Sequence, residues 1–383
     1  RDNYLRAGEE VPDTYTNRLQ DMYDYLAFTM RPDGTQPLNN DSDIEDLRPR
    51  IIKAANKYDR NDWLYVATNG KRGYKPDGNP SRVFPWGGIH VMRNGWSQDS
   101  HWAFFNTGPF GTGHQHADKL HLSVHAHGRD LLVDGGRFTH ENYFSFDPGM
   151  WRGYFRSSFS HNTILVDGRG QINSNTKAET SLTEGTHYAN ENTYDYARGL
   201  FSDGYAQGLS NWFSEDIITG TDHMRTIVYF KDQYWIVVDR ISTDKPRDIE
   251  VLWHFAPNVN VTSEGMQVVS IDKNAGNLRI TPTSNINWTV NKVKGQTEPH
   301  IQGWYSKTYG VKTPNDTYIY STHLQESTAF AWVLLPHLGK VPTLEVDILE
   351  IADTFIELKI DTEGIDSNTL EIPFDKAVIN FNN

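Results

Sequence analysis

Residues 101–136 read HWAFFNTGPFGTGHQHADKLHLSVHAHGRDLLVDGG, and this stretch decides the fold class. Three short runs in it, at residues 101–106, 120–126 and 130–134, are rich in apolar, aromatic and β-branched side chains. Glycine and polar residues separate the runs, which is the pattern of strands joined by turns. The stretch therefore predicts consecutive strands of an antiparallel sheet.

Similar runs recur on both sides of this stretch. We predict further strands at residues 88–93, 162–166, 223–230, 233–240 and 249–255, with a hairpin turning at Lys231-Asp232. Residues 171–214 are polar and irregular, and predict long loops. Before about residue 70, apolar side chains recur at helical spacing, which predicts helices from Asp13, over residues 46–56 and near residues 63–68. The predicted fold class is mainly β, a large antiparallel β-sandwich preceded by a few α-helices.

The composition suits this scaffold and narrows its partners. Aromatic residues make up 13% of the 383 residues, which favours surfaces that bind sugars or peptides. The formal net charge of −13 argues against nucleic acid and requires any polyanion site to be locally basic. The chain has no cysteine, which excludes thiolate metal sites, and no run is apolar enough to predict a membrane span. The polar start at Arg1, without Met, predicts a processed or internal boundary.

The candidate chemistry lies in and after the motif His114-Gln-His116. On an extended chain these two histidines point to the same face. Asp134 ends an apolar run, and His161 opens the next predicted strand. Two imidazoles and a carboxylate suit zinc, with a fourth position for water or substrate. The spacing of His116, Asp134 and His161 leaves open that they are ordinary hydrogen-bonded side chains. We expect such roles for the other histidines nearby, His121, His125 and His127.

Five sequence blocks occur in the order and with the gaps of a known family. They are Gly88-Ile-His-Val-Met-Arg-Asn-Gly-Trp, Phe105-Asn-Thr-Gly-Pro, Gly113-His-Gln-His-Ala-Asp, Gly128-Arg-Asp-Leu-Leu-Val-Asp-Gly-Gly and Arg156-Ser-Ser-Phe-Ser-His-Asn-Thr-Ile-Leu-Val-Asp-Gly. Together they resemble the C-terminal domain of the heparinase II/III-like polysaccharide lyases. The resemblance implies a β-sandwich at residues 83–383. It also implies that residues 1–82 are the end of the (α/α) toroid that precedes the sandwich in these enzymes.

The same resemblance implies a function and a ligand set. It implies β-elimination on an anionic, uronic-acid-containing polysaccharide. Degradation of such a polymer and the lack of cysteine favour a periplasmic or secreted setting. The resemblance also implies that His116, Asp134 and His161 hold zinc, and that His114 lines the active cleft. A catalytic tyrosine, with an asparagine or histidine, comes from the toroid in this family, and residues 1–82 can supply little of it. An N-terminal toroid portion or a second copy of the chain is therefore an expected partner.

β-Elimination needs a base, an acid and a group that neutralises the uronate carboxylate. We predict His114 as the base or as a donor to the carboxylate. The loop that begins at Met150 offers the other candidates. Arg156 and Tyr154 are predicted to be catalytic, and Arg152 and Trp151 to bind substrate. The alternative is structural, with the arginines paired to acidic residues and the aromatic rings packed on the sandwich.

Other classes of function compete with a lyase. Two histidines and a carboxylate on a β scaffold also describe a non-haem iron oxygenase. The aromatic content also fits a non-catalytic carbohydrate-binding module, and a structural fragment with a stabilising zinc is a third reading. The sequence leaves heparan sulfate, alginate, hyaluronan and ulvan open as polymers, and it does not separate endo from exo action.

Overall fold

Three helices near the N-terminal end pack into a small core of their own. A computed structural model describes residue 8 and residues 10–111, 113–172, 182–207, 217–364 and 367–382. The helices are α1 Asp13–Thr29, α2 Arg48–Tyr58 and α3 Asn61–Ala67, close to their predicted positions. Their buried side chains pack with Trp96, which follows the second strand of the chain. The predicted division at residues 82 and 83 stays a prediction. None of the described helices is long and apolar enough to cross a membrane.

The rest of the described chain is mostly strand. The strands of the first half are β1 Arg82–Phe84, β2 Ile89–Arg93, β3 Trp102–Asn106, β4 Leu122–Ala126, β5 Arg129–Leu132, β6 Ile164–Val166, β7 Gly170–Gln171, β8 Tyr188–Asn190, β9 Tyr194–Phe201 and β10 Tyr205–Ala206. Those of the second half are β11 Thr221–Phe230, β12 Trp235–Thr243, β13 Arg247–His254, β14 Val261–Glu264, β15 Gln267–Ser270, β16 Gly276–Pro282, β17 Thr289–Lys294, β18 Trp304–Thr308, β19 Val311–Pro314, β20 Asp316–Leu324, β21 Thr328–Leu338, β22 Leu344–Ile351, β23 Phe355–Thr362, β24 Asn368–Pro373 and β25 Asn380–Asn382. A short helix, α4 Trp151–Arg156, and a 3₁₀ turn at Ser158–Ser160 lie between β5 and β6.

An eight-stranded antiparallel sheet forms the centre of the molecule, in the order β14-β15-β16-β21-β12-β11-β9-β8. Both of its faces are buried. Ile227 and Val237 point into one hydrophobic core, whereas Val228 and Ile236 point into another. Successive side chains of a strand face opposite sides, so burial on both sides requires the uninterrupted apolar runs seen in β11 and β12.

Smaller sheets cover the two faces of this central sheet. The five-stranded sheet β1-β2-β3-β4-β5 and the four-stranded sheet β17-β20-β13-β6 contribute Phe105 and Trp253 to the first core. The sheet β22-β23-β24-β25 contributes Leu358 and Leu370 to the second. Two-stranded pairs, β7 with β10 and β18 with β19, complete the pairing. The predicted antiparallel β-sandwich is confirmed, and β22–β25 add a third layer.

The hairpin predicted at Lys231-Asp232 is also confirmed. It joins β11 to β12, where Tyr229 pairs with Trp235 and their rings stack with centroids 4.7 Å apart. Asp232 has a φ of 64°, a left-handed conformation that aspartate tolerates better than most residues.

The loops predicted over residues 171–214 are wrong in part. Residues 173–181 and 208–216 lie outside the described residues, but β9 in this span is an inner strand of the central sheet. Its polar residues are paired inside the protein: Asp195 accepts hydrogen bonds from Lys231 Nζ and from Ser81 Oγ. Because these partners are remote in sequence, the strand reads as a polar loop when only its own residues are considered.

Candidate functional site

Three loops bring the predicted site residues together at one end of the five-stranded sheet. The loop between β3 and β4 carries His114 and His116, and Asp134 follows β5 by two residues. His161 follows the 3₁₀ turn and precedes β6. Asp134, His116 and His161 are all buried, and their ligand atoms lie within 4.8 Å of one another.

The separations within this triad fit one metal ion. His116 Nδ1 lies 3.4 Å from His161 Nε2, and His161 Nε2 lies 3.4 Å from Asp134 Oδ2. Tetrahedral bonds of about 2.0–2.1 Å place ligand atoms about 3.4 Å apart. Two of the three separations therefore match those of donors that share one ion such as zinc, and the third is no longer than 4.8 Å.

Hydrogen bonds at the far side of each ring fix which nitrogen faces the triad. His116 Nε2 donates to Asp41 Oδ1 at 3.1 Å, and His161 Nδ1 donates to the carbonyl of Ser157 at 2.7 Å. When neutral, each ring therefore presents a lone pair on its other nitrogen to the triad. A carboxylate and a backbone carbonyl are the usual partners that orient metal-binding histidines.

Asp134 has one oxygen without a partner. Its Oδ1 accepts a hydrogen bond from the backbone N–H of Gly136 at 2.7 Å, but its buried Oδ2 forms none. Burial opposes a charged ring at His161, yet the adjacent Asp134 outweighs it and raises the pKa of His161 to about 9. Both observations indicate a position that favours a positive charge beside Asp134.

The two glycines after Asp134 allow this close approach. A Cβ on Gly135 would lie 2.7 Å from the Cβ of Ser160, the residue before His161. A Cβ on Gly136, where φ is 79°, would lie 2.1 Å from the carbonyl oxygen of Ser306. A larger residue at Gly135 would therefore push the loops of Asp134 and His161 apart, and one at Gly136 would push the Asp134 loop away from Ser306.

The expectation that His114 and His116 share one face of an extended chain is wrong. The motif lies in a loop, and His114 has a φ of 61°. This left-handed turn sends His116 into the triad and leaves the side chain of His114 60% exposed. The two rings are connected through Asp41, whose Oδ2 lies 2.8 Å from His114 Nδ1 and whose Oδ1 lies 3.1 Å from His116 Nε2.

Asp41 is a site residue that the sequence analysis missed. Its side chain is 4% exposed and contacts His114, His116 and both terminal nitrogens of Arg152, the latter at 2.6 Å each. These partners hold the pKa of Asp41 well below its usual range despite burial. Asp41 lies in the run Asn39-Asn-Asp-Ser-Asp, whose residue types are typical of a turn. The only indication of a role was that this run belongs to the part of the chain that resembles the toroid end.

The segment that follows Met150 is not the predicted loop, because Trp151–Arg156 form the helix α4. Arg152 and Arg156 are four residues apart, so they lie on the same face of it. Arg152 is bound to Asp41, whereas Arg156 donates to the backbone carbonyls of Gln115 at 3.0 Å and Tyr143 at 2.5 Å. Both arginines are buried, so they hold the site loops in place and do not reach into solvent.

Tyr154 and Trp151 lie on the packed side of α4. Tyr154 is fully buried, and its hydroxyl donates to Gln302 Oε1 at 3.0 Å; burial raises the pKa of Tyr154 above its ordinary value. Trp151 packs edge-on against Trp304 with Lys312 Nζ 4.3 Å from its ring. The environments match the structural alternative for these aromatic residues, and the catalytic role of Tyr154 gains no support.

Of the three histidines expected to have ordinary roles, His121 and His125 form hydrogen bonds, and the ring of His127 packs edge-on against His101, with ring centroids 5.1 Å apart. His121 is buried beside the triad, where it accepts from the backbone N–H of Asn162 and contacts Ser123 Oγ at 2.8 Å. His125 Nδ1 lies 3.0 Å from Asp130. A histidine that the sequence analysis missed, His140, stands beside His114 with ring centroids 5.6 Å apart.

Comparison with known proteins identifies the family of this chain. The sequence model of the family described as Heparinase II/III-like, C-terminal, matches residues 76–333, so the chain belongs to the heparinase II/III-like family. A curated relative, the heparin-sulfate lyase of Pedobacter heparinus, is 22% identical over 307 residues. The match covers 76% of this chain and 42% of that protein.

Solved structures with the same fold carry similar names. A heparan sulfate lyase mutant from Pedobacter heparinus superposes with a TM-score of 0.78 at 19% identity, covering 95% of this chain and 54% of that one. A protein described as Heparinase III gives a TM-score of 0.74 at 16% identity, covering 95% and 55% of the two chains. The chain thus spans about half the length of the proteins it matches.

Proposed function

We propose that this chain forms the β-sandwich part of a polysaccharide lyase that cleaves a uronic-acid-containing polymer by β-elimination. The observation that carries the proposal is His114, whose Nδ1 contacts the buried Asp41 while most of its side chain is exposed. Family membership supports the reaction class.

The proposed base is His114 Nε2. Because an ionised Asp41 can only accept, His114 donates from Nδ1 and keeps a lone pair on Nε2. That lone pair takes the proton from C5 of the uronate, next to its carboxylate. The C5–H electrons form the C4–C5 double bond, the C4–O bond breaks, and the leaving oxygen takes a proton from a general acid.

The general acid and the group that neutralises the carboxylate are assigned elsewhere. Arg152 and Arg156 are bound to Asp41 and to backbone carbonyls, and Tyr154 lies in a hydrophobic core. We assign the two remaining roles to toroid helices, as the family resemblance implies. Substrate contact by Trp151 stays a prediction.

We also propose that His116, Asp134 and His161 hold zinc. The support is the separation of their donor atoms, the orientation of both rings and the unpartnered Oδ2 of Asp134. A bound zinc would supply a fixed positive charge and a cross-link between three loops. The chain's own part is to anchor His116, and with it the loop that presents His114.

The substrate proposed first is heparan sulfate, because the relatives are named as lyases of heparin or heparan sulfate. Alginate, hyaluronan and ulvan are the other uronate polymers to compare. A periplasmic or secreted location, and a toroid portion or second copy as partner, stay predictions.

The test is the ultraviolet absorbance of unsaturated uronate during incubation with each polymer. With the toroid portion that carries the other two roles present, we expect a rising signal from the wild type, lost in His114→Ala and His116→Ala. The matched control is His323→Ala, because His323 also pairs with a carboxylate, Asp248 at 2.7 Å, and is 52% exposed. Equal loss in the control would contradict the role of His114.

One observation favours a second candidate, a non-catalytic carbohydrate-binding or structural part of such a lyase. Of the predicted catalytic residues, His114 alone has a side chain that is largely exposed. Folded protein that binds zinc and oligosaccharide but yields no unsaturated product on any polymer would establish this candidate. Iron-dependent oxygen uptake would instead point to an oxygenase.

A further inference from the structure

Asp41 uses its full hydrogen-bonding capacity within the candidate site. Oδ1 accepts from Arg152 Nη1 at 2.6 Å and from His116 Nε2 at 3.1 Å. Oδ2 accepts from Arg152 Nη2 at 2.6 Å and from His114 Nδ1 at 2.8 Å. A carboxylate oxygen has two lone pairs, so these four donors fill both oxygens.

This saturation determines the tautomers of two rings. An ionised carboxylate only accepts, so His116 must donate from Nε2 and His114 from Nδ1. His116 then directs the lone pair of Nδ1 at His161, and His114 keeps the lone pair of Nε2 for a ligand in solvent. One carboxylate therefore prepares one ring to bind an ion and the other to accept a proton.

The neighbouring His140 does not compete for Asp41. Its Nε2 lies 3.3 Å from Asp41 Oδ2, but the same nitrogen lies 3.1 Å from Nη1 of Arg137, which can only donate. His140 Nε2 is thus an acceptor, and it gives no hydrogen bond to Asp41.

The backbone holds Asp41 in place without help from an ion. The N–H of Asp41 donates to the carbonyl of His114 at 3.2 Å, and the N–H of His116 donates to Asn40 Oδ1 at 2.9 Å. Arg152, which holds both carboxylate oxygens, has a fully buried side chain. The segment around Asp41 and the histidine loop therefore form one preorganised unit.

We propose that Asp41 is a positioning residue that fixes His114 as the Nδ1–H tautomer and His116 as an Nδ1 metal donor. The inference rests on the proposed function, because it assigns Asp41 to that same site. It adds a direct link between the two histidines, through which binding of zinc at one ring alters the hydrogen bond to the other.

The first experiment needs no variant. Histidine nitrogens are followed by NMR in ¹⁵N-labelled protein at about pH 8, above the ordinary imidazole pKa. We expect His114 to carry its proton on Nδ1 before zinc is added, and its nitrogen shifts to move as zinc is titrated. An Nε2–H tautomer at His114, or shifts that ignore zinc that does bind, would overturn the proposal.

The second experiment compares Asp41→Asn with Asp43→Asn. Asp43 lies on the same segment and also holds an arginine through both oxygens, with Arg137 at 2.9 and 2.6 Å, but no described contact joins it to His114 or His116. We expect Asp41→Asn to weaken zinc binding about 10–100-fold and to shift His114 toward Nε2–H, because an amide cannot accept from all four donors. Asp43→Asn should leave both unchanged.

The outcomes separate this inference from the proposed function. Wild-type values of zinc affinity and His114 tautomer in Asp41→Asn, or equal changes in Asp43→Asn, would refute a specific role for Asp41. If no lyase activity is found but both differences appear, the positioning role stands and the elimination reaction fails. If the wild type binds no zinc, the metal site fails, and the His114 tautomer alone decides the role of Asp41.

Discussion

Asp41 and Asp239 have nearly the same partners in opposite surroundings. Asp239 accepts from His223 Nε2 and Arg225 Nε, each at 2.7 Å, from Arg225 Nη2 at 3.1 Å and from Trp332 Nε1 at 3.0 Å. Both carboxylates thus bind an arginine and at least one histidine, and both are saturated. Asp239, however, lies on β12 in the central sheet, directly opposite Arg225 on β11, whereas Asp41 lies in a loop.

The types of residue that surround a carboxylate therefore do not by themselves distinguish a candidate site from a structural network. His223 is fully buried, burial lowers its pKa, and no ligand in solvent can reach it. His114 presents an unused nitrogen to solvent, and the triad beside it holds an unpartnered carboxylate oxygen. Access to solvent marks the functional network. An unsatisfied polar atom alone does not, because the buried His223 Nδ1 also lacks a hydrogen bond.

The largest expected effect comes from a substitution that disrupts the structural network around Asp239. Asp239→Asn leaves the buried Arg225 without its counter-charge, so we expect the free energy of unfolding to fall by about 3–5 kcal/mol. Denaturant unfolding measures this loss. Asp248→Asn removes an exposed ion pair, with the Asp248 side chain 70% exposed, and should change stability by less than about 1 kcal/mol. Similar losses in the two variants would contradict a special place for Asp239.

The second largest expected effect comes from a substitution in the functional network around Asp41. We expect His114→Ala to lower kcat/KM by about 10²–10⁴-fold, because a positioned general base is lost. The free energy of unfolding should change by no more than about 0.5 kcal/mol, since the side chain is exposed. Initial rates of unsaturated uronate formation and denaturant midpoints test both statements. A destabilisation as large as that of Asp239→Asn would remove the contrast between the networks.

Metal removal sharpens the contrast with a smaller effect. Free zinc at about 100 times its Kd should raise the free energy of unfolding by about 2.7 kcal/mol over metal-free protein. We expect this gain to vanish in His116→Ala and to persist in His140→Ala, which alters a histidine outside the triad. Thermal unfolding with and without zinc measures it. Stabilisation that survives in His116→Ala would place the ion elsewhere.

The smallest effect concerns His90, a buried histidine remote from both networks, whose Nε2 contacts Thr107 Oγ1 at 3.2 Å. Burial, aided by His187, lowers the pKa of His90 to about 3 from its ordinary 6.5. Below about pH 6.5 His90 is protonated in the unfolded chain but stays neutral in the folded chain, so the free energy of unfolding falls as pH is lowered. The slope is about 1.4 kcal/mol per pH unit, and stability is fully present above pH 6.5. The stability difference between wild type and His90→Gln should vary with pH by this amount, and parallel profiles would disprove it.

The strands show which parts of the fold could be predicted from sequence patterns. The runs that became β2, β3, β11 and β12 were predicted because their apolar and β-branched side chains report burial directly. β9 was missed because its buried Asp195 is paired with residues far away in sequence, Lys231 and Ser81. In a sequence pattern, a polar residue predicts solvent exposure unless its buried partner is known.

The site residues divide in the same way. His116, Asp134 and His161 were named from the blocks of the family, and the fold brings them within reach of one ion. The catalytic role predicted for Arg156 and the substrate contact predicted for Arg152 came from their chemistry, whereas their burial matches the structural alternative. Asp41, 73 residues from His114, carried no local signal at all.

The amino-acid sequence by itself established the β-rich fold class, because hydrophobic periodicity is a local property of the chain. It also contained the blocks of the family, and the resemblance implies the donor set of the triad. Only the tertiary structure decided which donors are buried, which ring nitrogens are free, and that Asp41 joins His114 to His116. Those features depend on hydrogen bonds and solvent exclusion between segments far apart in sequence. They exist only after the loops have packed together.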